Sequence, residues 1–508
     1  MRLKKAGLRI VSGAASAAVM AAMVLTACSG GNPPASSSSS VSSKPASSVS
    51  QPTSSVSSSS KPVSSSSSTS SSVSNSATTT PSDNNGVEWL YQKTGDSTAT
   101  LTGYNKYGKK RPTGVVMLPS KVDGYTITEI GGLAFRENTD ITGVIIPDTV
   151  TSIGEGAFYQ CKNLSQVQLP KNLKSIGKKA FEEAGLVELN FPKSEISIGY
   201  AAFMNNKSLK RVEFKAKTIL DEDIFGACNS LESVVMDDDT EELSNGVFNY
   251  CTSLKSIRLP KNLKTIGNGA FLECNSLTDI TIPEGVTSIG ANAFWHCEAL
   301  RSITIPKNVE EIKSSTFQGC SELASVKIQG NVTSIGYNAF MDCESIHNIV
   351  LPESVSEIGS RSFWGCESLE SIRIPQKVSI LEENTFTRCI SLRTVELNHG
   401  LRTIGKYAFS SCSSLRKVAL PEGLTTLEQG AFSGSDGLKY IYLPQSLGSI
   451  GQNAFFRCSN LTDVYYGGSE LSWKAVTIYD AENTVAGQYI HKATKHYNVT
   501  SSALNTVI

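Results

Sequence analysis

From about residue 131 to residue 464 the apolar positions repeat with one long period. A phenylalanine recurs at a fixed interval, as in Phe135, Phe158 and Phe181, and again from Phe225 through Phe248 and Phe271 to Phe455. The interval is one residue shorter only between Phe181 and Phe203 and between Phe203 and Phe225. Fifteen of the 18 phenylalanines lie on this grid, which chance does not produce. In one unit, Leu254 to Cys274, Ile257 and Leu259 alternate with polar neighbours and predict a short strand with one buried face. Pro260 has no N–H to give to a ladder and ends that strand. Leu263 and Ile266 repeat the inward pattern, and Gly267 suits a tight turn. The Ala270-Phe271-x-x-Cys274 piece is too short for a long helix and reads as a helical or irregular turn. One such unit cannot enclose a core. Stacked units can, with each Phe lying on the Phe of the next rung. Parallel strands set rungs about 4.8 Å apart, so fifteen rungs predict an array of roughly 70 Å with a continuous parallel sheet along one side.

The repeat I-G-x-x-A-F-x-x-C-x-x-L-x-x-V/I-x-L/I-P resembles the BspA-like leucine-rich repeats of bacterial surface proteins, over about residues 98 to 470. The resemblance implies a curved leucine-rich repeat solenoid of α/β type, mostly strand and turn, with about fifteen repeats and the parallel β-sheet on the concave side. It also implies display at the cell surface and adhesion or ligand binding. Relatives bind extracellular-matrix proteins and other bacteria, and many have no known ligand, so the fold does not by itself fix the function.

Departures from the pattern mark its limits. Residues 85–130, from Trp89 to Ile130, predict an N-terminal cap with a partial repeat. Residues 131–464 are the repeats proper. Residues 465–508, containing Trp473, predict a C-terminal cap and tail. Asp221, Ser244, Lys313, Glu382 and Glu428 stand where other units carry the grid glycine, so the turn is expected to tolerate a side chain.

The N-terminal quarter follows different rules. Arg2, Lys4, Lys5 and Arg9 precede an uncharged, alanine-rich apolar stretch, Ile10 to Thr26, which reads as an export signal. It ends in Leu25-Thr26-Ala27-Cys28, which resembles the bacterial lipobox. Residues 1–27 would then be removed and Cys28 would carry lipid. The other reading is an ordinary signal peptide with Cys28 incidental. Residues 28–84 are mostly Ser with Pro, Thr, Val and Ala, and cannot bury enough apolar surface to offset their ordering entropy. From Asn32 to about Asn84 this tether is a coil of ~53 residues that spans about 40 Å, and fully stretched roughly 175 Å. No second apolar run is long enough to cross a bilayer, so the lipid would be the anchor.

The 508 residues carry 46 Lys plus Arg and 46 Asp plus Glu, a net charge of zero. That excludes a strongly basic nucleic-acid-binding body. Removing the signal takes away four cations and leaves the exported chain at about −4.

Candidate chemistry is sparse. Of the 12 cysteines, all but Cys28 fall in one slot just after a grid phenylalanine: Cys161, Cys228, Cys251, Cys274, Cys297, Cys320, Cys343, Cys366, Cys389, Cys412 and Cys458. Export would favour disulfides. Stacked equivalent side chains point the same way, however, and cannot easily reach the required dihedral. Asn138, Ala184, Asn206 and Ser435 share the slot, so these cysteines are expected to be buried free thiols serving as small apolar fillers. The clustered Cys-x-x-Cys spacing of a metal site is absent. His296, His347, His399, His491 and His496 show no ligand or triad spacing. His296 beside Cys297 suggests a nucleophile pair only until Cys297 is placed on the core grid. The acidic run Asp237, Asp238, Asp239, Glu241 and Glu242 offers calcium-type oxygens without the spacing of an EF-hand loop. No zinc-protease, phosphate-loop or nucleophile-elbow motif occurs, and no cofactor is expected.

The residues that flank each buried strand position are the natural ligand surface. The one between the two buried residues runs from Gln168 through Arg258, Lys327, Arg373 and Glu396 to Tyr465, small and of mixed charge. At its C-terminal end Tyr440, Tyr442 and Tyr465 should cluster, and exposed tyrosines favour recognition. The expected function is therefore a non-enzymatic, lipid-anchored cell-surface module that binds an extracellular macromolecule, either protein or glycan, with no nucleic-acid partner and no membrane contact beyond the anchor. The alternatives are an envelope-associated spacer without a specific soluble ligand, or an accessory that delivers a catalytic partner.

Overall fold

The computed structural model describes residues 86–481, 485 and 487–506. The export signal, Cys28 and the serine-rich tether lie outside them. Within the described chain each period of the phenylalanine grid becomes one rung, and each rung contributes two short strands and one turn column.

The first strand of a rung is centred on the buried Val or Ile. Examples are Arg211–Glu213, Lys417–Ala419 and Tyr440–Leu443. The second is the Ser/Thr/Glu-Ile pair before the grid glycine, as in Thr265–Ile266 and Ser288–Ile289. Both sets pair in parallel with the equivalent strand of the next rung. Alternation puts Val212 and Ile266 inward, fully buried, while their neighbours face out. The array therefore carries two parallel ladders, not the one continuous sheet that the pattern of Ile257 and Leu259 suggests. The first ladder is itself in pieces, the longest running through Lys417–Ala419, Tyr440–Leu443, Asp463–Tyr466 and Thr494–Tyr497.

Between the second strand and the next first strand the chain makes consecutive turns, with no helix in any repeat. Two residues per turn adopt left-handed backbone, for example Lys179 (φ 56°) and Glu183 (φ 55°), or Gly430 (φ 63°) and Gly434 (φ 74°). Between them sits the grid phenylalanine. The fifteen rings form one column with centroids 5.0–5.8 Å apart and planes within 22° of parallel. Tyr104 and Trp89 close its N-terminal end against Phe135, on a cap formed by Trp89–Lys93 antiparallel to Thr98–Tyr104.

The eleven repeat cysteines are buried free thiols. They are more than fillers. Every one of them points its Sγ at the carbonyl of the phenylalanine one rung back, at 3.0–3.3 Å. Asn206 Nδ2 donates to Phe181 O at 2.7 Å and Ser435 Oγ to Phe409 O at 2.7 Å from the same slot. The slot takes a small residue, most often a donor, with Ala184 the exception. Burial pushes Cys161, Cys228, Cys412 and Cys458 up to about 12, so none is a thiolate at neutral pH. Cys320→Ala should cost about 1 kcal/mol in chemical denaturation, and Cys320→Ser distinctly less, because only serine keeps a donor to Phe294 O. Equal losses would remove the donor role.

The grid glycine has a different cause from the one its place in a turn suggests. None of Gly154, Gly177, Gly267, Gly290 or Gly336 has positive φ. A Cβ on Gly267 would instead lie 2.5 Å from the carbonyl carbon of Ser244, and one on Gly290 only 2.4 Å from Asn268 N. Close approach lets Gly290 N–H donate to Ile266 O at 2.8 Å and Gly336 N–H to Ile312 O at 2.7 Å. The second ladder is interrupted at three places among the described residues: before Glu242–Leu243, before Glu311–Ile312 and before Ile380–Leu381. These are the strands followed by Ser244, Lys313 and Glu382. Asp221 and Glu428 leave the ladder intact, with their N–H groups bonded to Ile198 O and Ile404 O at 2.9 Å. The turn does accept a side chain, and at three of five positions the ladder opens there.

Candidate functional site

The outward face of the first ladder is open along most of its length. Gln168, Asn190, Arg258, Thr281, Lys327, Arg373, Glu396 and Ala419 are all exposed, and Val350 reaches 82%. Its charges are largely paired across rungs. Arg258 meets Asp238 at 2.7 Å and Lys261 meets the same carboxylate at 2.9 Å. Those two cations hold Asp238 down at about 2. Arg373 bridges Glu353 (2.6 Å) and Glu396 (3.8 Å). The centre of the acidic run Asp237 to Glu242 is thus occupied by side chains of the next rung. Among the described residues no three His, Cys, Asp or Glu side chains gather as a metal site.

The three tyrosines do come together. Adjacent strands place Tyr440 opposite Asp463 and Tyr442 opposite Tyr465. The expected exposure of the trio, however, needs correction. Tyr442 is only 1% exposed. Its hydroxyl donates to the Glu422 carboxylate, and Gly467 leaves room for the phenol, since a Cβ there would lie 2.6 Å from the Tyr442 oxygen. The tail segment Ser501–Thr506, a 3-10 helix, packs over the strands that carry Tyr442 and covers this part of the face. Burial, then the carboxylate beside it, raises the Tyr442 hydroxyl well above its ordinary value. Tyr465 is half-buried and stacks on His496 at 4.6 Å. His496 also meets Asp463 at 2.8 Å. Burial pushes the Asp463 carboxyl up, but His496 and Thr462 beside it prevail and hold it below its ordinary value. Tyr440 stays half-exposed, with the Lys439 ammonium 5.0 Å from its ring.

His296 and Cys297 are not brought together. Cys297 points inward to Phe271 O, whereas the His296 ring lies 3.6 Å from Glu298 at the surface.

One feature of the sequence escaped a reading confined to the strand centres. Beside Tyr440, a groove of about 990 Å³ is lined by Arg393, Arg416 and Lys439 together with Ser414, Asn460 and Thr462. The three cations are exposed, stand at one position of three successive rungs, and form no salt bridge among the described residues. Reading the repeat register at the position just before the strand, and not only within it, would have found them.

Comparison with protein families matches residues 128–255, 241–369 and 334–462 to the BspA type leucine rich repeat region. A crystal structure of a leucine-rich repeat protein from Bacteroides ovatus is similar at 29% identity, covering 81% of this chain and 98% of that one, with a TM-score of 0.61. A leucine rich cell surface protein from Faecalibacterium prausnitzii is 25% identical over 78% of this chain and 97% of that one, with a TM-score of 0.39. No curated protein matches.

Proposed function

Since the chain belongs to the BspA-type leucine-rich repeat family, we propose that it is a non-enzymatic, lipid-anchored cell-surface protein whose first ladder captures an extracellular macromolecule. One observation carries this reading. The outward residues of the ladder stay exposed or half-exposed rung after rung, from Gln168 to Ala419, and form one long polar face that no other part of the described chain covers until the C-terminal cap. A rigid, repetitive surface of mixed charge suits a large partner better than a small substrate. Tyr440, half-exposed beside the groove, is the aromatic anchor of that face. Tyr465 borders it, while Tyr442 supports it from within through Glu422.

Anchoring through Cys28 is part of the same proposal and rests on the lipobox-like Leu25-Thr26-Ala27-Cys28. Among the described residues no helix is long and apolar enough to cross a membrane. Cys28→Ala should lower the fraction of the protein that partitions with membranes more than tenfold, because the acyl chains supply the binding energy. Cell fractionation and incorporation of labelled fatty acid measure it, and unchanged partition would refute the anchor. The binding role is tested by probing an array of matrix proteins and polysaccharides with the full chain. Saturable binding is expected. Its absence across the whole array would turn the reading to an envelope spacer.

A further inference from the structure

We infer that Arg393, Arg416 and Lys439 form a binding site for a linear anionic polysaccharide, laid along the array with one acidic group per rung. The inference deepens the proposed function and rests on it, since it names the ligand class for one stretch of the exposed face.

Nothing in the fold asks for three cations here. The same position carries Ser165, Val187, Thr278, Ala324 and Thr462 in other rungs, so the ladder is indifferent to what fills it. Where cations occur there earlier in the array, acid is interleaved with them. Glu232 stands between Lys210 and Lys255 in the register, and Arg301 pairs with Glu322 at 3.3 Å. Arg393, Arg416 and Lys439 follow one another without a break. Glu370 precedes Arg393 in the register, yet the two form no salt bridge. Asp463, on the strand that pairs with Tyr440, is already taken by Thr462 and His496. Like charges on adjacent strands repel, and a bound anion removes that repulsion.

The spacing selects the ligand. Adjacent rungs stand about 4.8 Å apart at the ladder, close to the length of one pyranose unit. An extended peptide advances about 3.3 Å per residue and returns a side chain to one face only every second residue, which does not keep step with single rungs. Lys417 also lines the groove, and the remainder of the lining is neutral and mostly hydroxylic. Ser414 and Thr462 flank the cations, Asn460 offers an amide, and the Tyr440 ring is half-exposed beside Lys439. That mixture suits sugar hydroxyls and the apolar face of a pyranose. A nucleic acid would call for a longer basic track and more stacking rings.

The test measures binding of the full chain to heparin and to polygalacturonate by surface plasmon resonance, with dextran, poly-glutamate and oligothymidylate as comparison probes, across a series of salt concentrations. Saturable binding to at least one of the two acidic sugars is expected, tighter than to the other probes. The combined Arg393→Gln, Arg416→Gln and Lys439→Gln variant should bind roughly 30-fold more weakly, about threefold for each exposed ion pair lost, with a shallower dependence on salt. Tyr440→Ala should weaken binding and leave the salt dependence unchanged. Paired cations of the turn column provide the control: Arg136→Gln with Arg388→Gln, which lose only their bonds to Glu137 and Glu367, should leave sugar binding as it was. Unaltered thermal melting of each variant confirms the fold. The proposal is overturned if the triple variant binds the sugars like the parent, or if poly-glutamate or oligothymidylate binds more tightly. If the acidic sugars fail but another macromolecule binds, this inference falls and the surface-binding reading stands. If nothing binds, both fall.

Discussion

Replacing Phe317 with alanine is expected to destabilise the array by about 3–5 kcal/mol, the usual loss for a fully buried ring. Phe317 is completely buried and stacks on Phe294 at 5.4 Å and on Phe340 at 5.5 Å. The substitution opens both contacts at once and leaves a ring-sized void in the middle of a column that has nothing else to close over it. Rung stability in a repeat protein comes from nearest neighbours. The loss should therefore split the urea transition, with the rungs on either side of Phe317 melting separately. A single transition shifted by less than about 1 kcal/mol, well under the usual large-to-small loss, would show that the column is not what joins the rungs.

Gly290→Lys is the second large effect, expected at about 3 kcal/mol, the upper part of the range for forcing atoms into a packed interior. The new Cβ would meet Asn268 N and the Gly267 carbonyl carbon at 2.4 Å. Both are backbone atoms and cannot rotate away. The rung must separate, and the 2.8 Å bond from Gly290 N–H to Ile266 O breaks with it. Lys313 shows that a lysine is admissible one rung on, but there the ladder is open between Ser288–Ile289 and Glu311–Ile312, and Thr316 Oγ1 turns back to donate to Lys313 O at 2.7 Å. Gly290 has Ala293 at the corresponding place and no such support. Denaturation together with amide exchange at residue 290 measures the effect. Retained protection of that amide would contradict it.

The fold was legible because one residue type in one slot repeated fifteen times. A Phe returning at so constant an interval admits only a stack, and the alternation around Ile257 and Leu259 admits only a strand. What escaped was whatever depends on the neighbouring rung. Gly267 reads locally as a turn residue, yet its constraint is the Ser244 backbone one rung earlier. Cys320 reads as an apolar filler, yet its partner is the Phe294 carbonyl. Tyr442 faces outward by strand parity, and parity is right. The tail at Ser501–Thr506 covers it, and no periodicity announces a tail. Ser152–Ile153 and its equivalents form a second ladder from only two residues per rung, too few to alternate visibly. Cys28 and the tether lie outside the described residues, and their reading rests on the sequence alone.

The open places of the second ladder also bear on how the array carries mechanical load. The step from Ser244 to Lys313 equals the step from Lys313 to Glu382, so the gaps recur every third rung. Tension along the axis is shared among the two ladders and the turn column wherever both ladders are continuous. Between Ser288–Ile289 and Glu311–Ile312 the second ladder is open, and the first is open beside it, between Asp279–Ile280 and Ser302–Ile305. That junction is held chiefly by the turn column, so a pulled molecule would part there first while the blocks on either side stay folded.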